Sequence, residues 1–173
     1  MDWWKIALFD TCSLITLDKV ILEQADLALH FPSSVLALQE SFAADQLRTE
    51  TSARMRSRVT FCSLPTPADL ASVFASSNIS KALSTVDRLI YATAVCRQIA
   101  VVTADKQLAR AVRARRIPVG NMALILRELV VAKKLTVKRC EELLLGLATR
   151  KDFILSGRMI PRWIDLRDYT FPD

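Results

Sequence analysis

"STVDRLIYATAVCRQIAVVTADKQLARA", residues Ser84–Ala111, decides the fold class. Ser84 followed by Asp87 fits the [ST]-x-x-[DE] capping pattern, and apolar residues then recur at helical spacing to about Gln98. "IAVVT" (Ile99–Thr103) is too short for a helix and rich in β-branched residues, which reads as a buried strand. Asp105 then opens a second helix, "DKQLARAVRARR". A strand that is apolar on both faces and lies between two helices belongs to a parallel sheet covered on both sides.

The same alternation continues in both directions. Upstream, "KIALF" (Lys5–Phe9) is a short apolar strand ending at Asp10. "TCSLITLDKVILEQADLAL" follows as a helix that leaves Asp18, Lys19, Glu23 and Gln24 for solvent. "LHF" before Pro32 reads as a second strand, and "SSVLALQESFAADQLRTE" (Ser33–Glu50) as a serine-capped helix. "VTFCSL" (Val59–Leu64) is a further strand, and "TPADLASVFASS" a helix with Pro67 in its first turn. Downstream, "IPV" (Ile117–Val119) is a last strand, after which "MALILRELVVAKK" and "VKRCEELLLGLATRK" are helical. The expected architecture is a three-layer α/β/α domain over residues 1–120, with a helical extension over 121–173 packed on the same domain.

Composition narrows the class. The chain of 173 residues is 51% hydrophobic, yet no uncharged run approaches the length of a membrane span. Its start, "MDWWKIALFD", lacks the basic and long apolar regions of a signal peptide, so a cytoplasmic protein with no membrane partner is expected. Cys12, Cys62, Cys96 and Cys140 are scattered without a CxxC pair, which argues against structural zinc and for reduced, mostly buried thiols. The net charge of +6 is concentrated in "SARMRSR" (Ser52–Arg58), "RAVRARR" (Arg110–Arg116) and two later basic pairs. Each cluster alone reads more readily as a solvated helix face; the sum over the chain points mildly to a polyanionic partner, nucleic acid.

Asp10, Asp87 and Asp105 raise the chemical question. Strand C-termini and helix N-termini gather at one edge of an open parallel sheet, so the three acids are directed to one place. Each also reads as a helix cap. Three carboxylates together repel one another unless a cation lies between them, and an all-oxygen ligand set suits Mg²⁺ or Mn²⁺. Competing chemistries are less well supported. Three glycines leave little for a phosphate-cradling loop, and the lone His30 precedes Phe31 and Pro32 rather than a nucleophile. A receiver-like domain would want adjacent acids near the first strand, where Asp2 and Asp10 are far apart.

"ALFDTCSLITL", "STVDRLIYATA" and "AVVTADKQLARA" resemble, in this order, the three acidic motifs of the PIN-domain nucleases, the family that includes the VapC toxins of toxin–antitoxin pairs. Asp10 with Thr11 and Ser13, Asp87 with Ile90, Ala92 and Ala94, and Thr103 with Asp105 carry the match, over roughly residues 5–120. The resemblance implies a metal-dependent endoribonuclease with Asp10, Asp87 and Asp105 as metal ligands. It also implies a glutamate after the second strand, for which the sequence offers Glu40, either facing the acids or on a helix surface. Thr11, Ser13 and Thr103 are then candidates to fix the carboxylates, or equally to cap helices. Arg54, Arg56, Arg58 and Lys106 are candidates for the RNA backbone. A homodimer and an antitoxin partner are further implications. The alternative is a catalytically silent PIN fold that binds RNA or protein. Leu124, Leu126, Leu129, Val130, Leu143, Leu144 and Leu147 of the extension read as core or as a dimer or partner contact, which Trp3 and Trp4 could join.

Overall fold

Five short parallel strands form one sheet in the computed structural model, which describes residues 3–23, 27–38, 51–77, 79, 82–149 and 162–171. They are β1 (Leu8–Phe9), β2 (Val35–Leu38), β3 (Val59–Cys62), β4 (Val101–Val102) and β5 (Val119–Gly120), in the order β3-β2-β1-β4-β5. The chain builds outward from β1 to β3, then returns to dock β4 on the other side of β1. Leu8 is therefore in register with both Leu36 and Val101. Helix α1 (Thr11–Glu23) joins β1 to β2, and the single turn α2 (Ala53–Arg56) precedes β3. Helices α3 (Pro67–Ala75) and α4 (Thr85–Arg97) lie between β3 and β4, and α5 (Lys106–Ala114) between β4 and β5. The extension supplies α6 (Met122–Val131), α7 (Val137–Thr149) and α8 (Trp163–Arg167). The architecture is the three-layer α/β/α arrangement expected from the alternating pattern.

Helix starts follow side-chain chemistry. Thr66, Ser84, Asp105 and Asn121 each accept an N–H from the residue three positions on, opening α3, α4, α5 and α6. The strands are apolar on both faces because both are covered: Leu8, Val101 and Val102 have no exposed surface. The extension belongs to the same core, since Leu126, Leu129, Leu143, Leu144 and Leu166 are buried in one cluster with the sheet. Asn121 donates to the Tyr169 hydroxyl at 3.2 Å, and Arg127 donates to the Tyr169 carbonyl at 2.8 Å, which fastens the last described segment to α6. Trp4 is buried against Phe31 with ring centroids 5.2 Å apart. Among the described residues no helix is long and apolar enough to cross a membrane.

Three expectations from sequence fail here. The second strand is Val35–Leu38, within the segment read as a helix, while Leu27–Leu29 forms a 3₁₀ turn in place of the expected "LHF" strand. A four-residue apolar run carries no periodicity that separates helix from strand; what decides is its central place, paired with β1 and β3. Residues 39–50 of that expected helix lie outside the described residues. Asp18, read as solvated, is buried, because its carboxylate accepts the Ser52 N–H at 2.6 Å and the Ser52 hydroxyl at 2.7 Å. Of the cysteines only Cys140 is buried, whereas Cys12 and Cys96 are exposed.

One side chain ties three helices together. Arg115, just past α5, donates to the Tyr91 hydroxyl on α4 at 2.9 Å, to the Ser76 carbonyl after α3 at 2.9 Å and to the Ser77 hydroxyl at 2.5 Å. This arginine, counted with the basic clusters in the sequence, works inside the fold. Arg115→Ala is expected to lower stability by about 1–3 kcal/mol, as for charge-assisted hydrogen bonds, with an unchanged denaturant slope. Urea unfolding checks this; a midpoint equal to that of the wild type would show Arg115 to be mere surface charge.

Candidate functional site

Where the strand order reverses, β1 and β4 end side by side and their loops part, leaving a crevice at the C-terminal edge of the sheet. Asp10 stands at the end of β1. Its N–H donates to the Val102 carbonyl at 3.0 Å, and its own carbonyl accepts from Leu14 to start α1. Asp10 is only 5% exposed. One carboxylate oxygen accepts the Ser13 N–H at 2.7 Å and the other accepts the hydroxyl of Thr103, fully buried at the end of β4. The Thr103 oxygen in turn accepts the Asp105 N–H at 3.0 Å, so a single hydroxyl joins the two loops.

The other two aspartates sit at helix N-termini. Asp105 caps α5 by accepting the Leu108 N–H at 2.7 Å on Oδ1. Asp87, in the first turn of α4, accepts the Ser84 hydroxyl at 2.6 Å on Oδ2, while its N–H returns to the Ser84 oxygen at 3.1 Å. All three carboxylates line one cleft of about 440 Å³, with Thr11, Cys12 and Ser84 also in its wall and no lysine or arginine among its described lining residues. Burial pushes the Asp10 carboxyl above its ordinary pKa; hydrogen bonds from Thr103 and Ser13 oppose this in part, and the charge of Asp87 adds to the rise.

Of the remaining residues singled out in the sequence, Lys106 adjoins Asp105 at the start of α5. Arg54, Arg56 and Arg58 precede β3, at the N-terminal edge of the sheet and so at the opposite end from the acids. Arg56 donates to the Thr51 carbonyl at 2.6 Å and Arg58 to the Ala28 carbonyl at 3.3 Å, so both guanidiniums also brace the backbone. Glu40 lies outside the described residues. Cys12 escapes a reading of scattered cysteines as buried thiols; its place two residues after Asp10 is the signal that puts it in the cleft wall. Among the described residues no three acidic, histidine or cysteine side chains stand close enough, as placed, to hold one ion. The donor set itself, three carboxylates with no counter-cation among the described lining residues, suits a hard divalent cation.

The raised pKa of Asp10 fixes the sign of a pH effect. An acid whose folded pKa lies above its unfolded value of about 3.9 binds more protons when folded, so stability falls as pH rises through that interval. Above the folded pKa the full penalty remains. Asp10→Asn is therefore expected to be more stable than wild type at neutral pH and to lose the part of the pH slope that begins near the unfolded value. Melting temperatures of both proteins across pH 4–8, in EDTA, check this; parallel curves would refute it.

Compared with known proteins, the chain matches no protein-family model, no curated protein and no solved structure.

Proposed function

We propose that the chain is a metal-dependent endoribonuclease of the PIN type. One observation carries the reading: carboxylates from three separate segments line a single cleft, with no lysine or arginine among its described lining residues, and one of them is buried with its pKa raised by its surroundings and by its neighbour. Asp10, Asp87 and Asp105 would hold Mg²⁺ or Mn²⁺, with Glu40 as the fourth ligand that the resemblance implies. A bound ion of this kind neutralises charge on a phosphodiester and makes water a stronger nucleophile. The protein's own part is to fix the carboxylates. Thr103 and the Ser13 N–H occupy both Asp10 oxygens and so set its rotamer, while the caps of α4 and α5 orient Asp87 and Asp105. Lys106 beside Asp105 is proposed to meet the RNA backbone, with Arg54, Arg56 and Arg58 on a more distant path of the strand.

The proposal extends to a cytoplasmic toxin restrained by an antitoxin, and to a homodimer. Val137, Leu145 and Ile164 support a protein partner: all three are large, apolar and exposed on the helical extension. The second reading, a silent module that binds RNA or protein, is favoured by the caps themselves, because Asp87 and Asp105 have a structural use without any ion.

Asp105→Asn separates the two. Asparagine caps a helix about as well as aspartate, so the fold should be kept. If the residue is a ligand, the variant loses Mn²⁺-dependent cleavage of RNA by about 100-fold or more, on the scale of removing a charge-stabilising group. Mn²⁺ should also raise the melting temperature of wild type more than that of the variant. A variant that cleaves RNA and gains full stabilisation from Mn²⁺ would sink the metal-site reading. A wild type that binds RNA but cleaves none with Mn²⁺ would select the silent module.

A further inference from the structure

A second hollow, of about 410 Å³, lies at the outer edge of β5 and contains none of the three aspartates. Arg113 in the last turn of α5, Arg116 just beyond it and Arg127 on α6 all line it, with Glu128 and the Trp3 indole. Arg116 precedes β5, placing the hollow toward the N-terminal end of that strand, away from the acids.

Its parts are held in place. The Trp3 ring lies over Gly120, where a Cβ would come within 2.5 Å of Cη2, so only a glycine lets the indole sit there. Trp3 Nε1 donates to Glu128 at 2.7 Å, which fixes the ring and turns that carboxylate toward the indole. Arg127 is anchored by its bond to the Tyr169 carbonyl. Arg116 holds φ at 59°, a left-handed conformation that glycine or asparagine would adopt more easily. The carbonyls of Pro118 and Gly120 accept from Val101 on β4 and from Thr103 just after it. The N–H of Val119 between them therefore points away from β4, to the side of the sheet that the hollow occupies.

Charge and shape select a ligand. Among the described lining residues three guanidiniums stand against one carboxylate, a formal excess of +2. A phosphomonoester carries about −1.5 to −2 at neutral pH and matches that charge, whereas an internal phosphodiester carries only one. The volume is that of a nucleotide-sized pocket, and an indole wall offers a flat apolar surface on which a base stacks. We propose that this hollow binds the phosphomonoester end of a nucleotide, with Arg113, Arg116 and Arg127 on the phosphate and Trp3 against the base. The ligand is either a free mononucleotide or the phosphorylated terminus of an RNA strand. The site stands whether or not the acid cleft cuts RNA.

Calorimetry on the full chain in EDTA tests this, using AMP, adenosine, inorganic phosphate and 3′,5′-cyclic AMP, which keeps the base but has a diester. AMP is expected to bind at least about tenfold more tightly than adenosine or cyclic AMP, the scale of one charge-assisted hydrogen bond. Arg116→Glu, at an exposed position, should weaken AMP by about tenfold or more, and Trp3→Leu should weaken AMP more than phosphate. Gly120→Ala, which displaces the indole without touching an arginine, should act like Trp3→Leu. A five-nucleotide RNA with a 5′-phosphate, compared with its 5′-hydroxyl form, identifies the source. With AMP bound, a preference for the phosphorylated over the 5′-hydroxyl strand points to an RNA terminus; AMP binding with no preference between the strands points to a free nucleotide. Equal affinity for AMP and adenosine, unchanged AMP binding by Arg116→Glu, a phosphoserine peptide binding as tightly as AMP, or no binding of any nucleotide would each overturn the proposal.

Discussion

The Thr103 hydroxyl is bonded on both sides at the place where the sheet changes direction. It donates to Asp10 at the end of β1 and accepts the N–H of Asp105 beyond β4. Thr103 itself is pinned, fully buried, by its N–H to Gly120 on β5. Three neighbouring strands are thus locked together at their C-terminal ends, and both carboxylates take their positions from that lock. In a protein interior an ionised carboxylate is tolerable only when its oxygens are satisfied; Thr103 and the Ser13 N–H do this for Asp10. The remaining penalty, from burial and from Asp87, is what keeps its pKa high.

Charge is divided along the strand direction. The acids lie at the C-terminal edge, where the N-termini of α4 and α5 present unsatisfied N–H groups and favour negative charge. Arg54, Arg56 and Arg58 precede β3, and Arg113 and Arg116 precede β5, so these arginines gather toward the other edge. The +6 of the chain is therefore not spread evenly around the acid cleft. A long polyanion reaching from the acids to these arginines would have to pass around the sheet.

What was legible in the sequence was what local chemistry settles. The Ser84–Asp87 box and the β-branched "IAVVT" each specify their element without help from the rest of the chain, and α4 and β4 lie where they point. The convergence of Asp10, Asp87 and Asp105 on one cleft was legible too, because strand ends and helix starts in a parallel sheet share an edge. What failed depended on distant partners. Val35–Leu38 is a strand because β1 and β3 flank it, and Asp18 is inside because Ser52, 34 residues away, satisfies it. Arg115 looked like surface charge because its partners on α3 and α4 are far off in sequence. The same blindness hid the second hollow, whose walls come from Trp3, the end of α5 and α6.

Capping and ligation need not compete for the same aspartates. A carboxylate offers about four lone-pair positions on two oxygens, and an N-cap bond uses one. Asp105 spends Oδ1 on Leu108, and Asp87 spends Oδ2 on the Ser84 hydroxyl, so each cap involves one oxygen of its pair. By fixing that oxygen at the helix start, the cap also fixes the direction of the other. The caps that explain Asp87 and Asp105 as structural residues thus leave the second oxygen of each outside the cap bond. Asp10 differs, since both its oxygens are already engaged and its proton affinity is raised. It is the acid whose ionisation a cation would help most, because the cost of its buried charge is offset by no positive side chain among the described residues of the cleft wall.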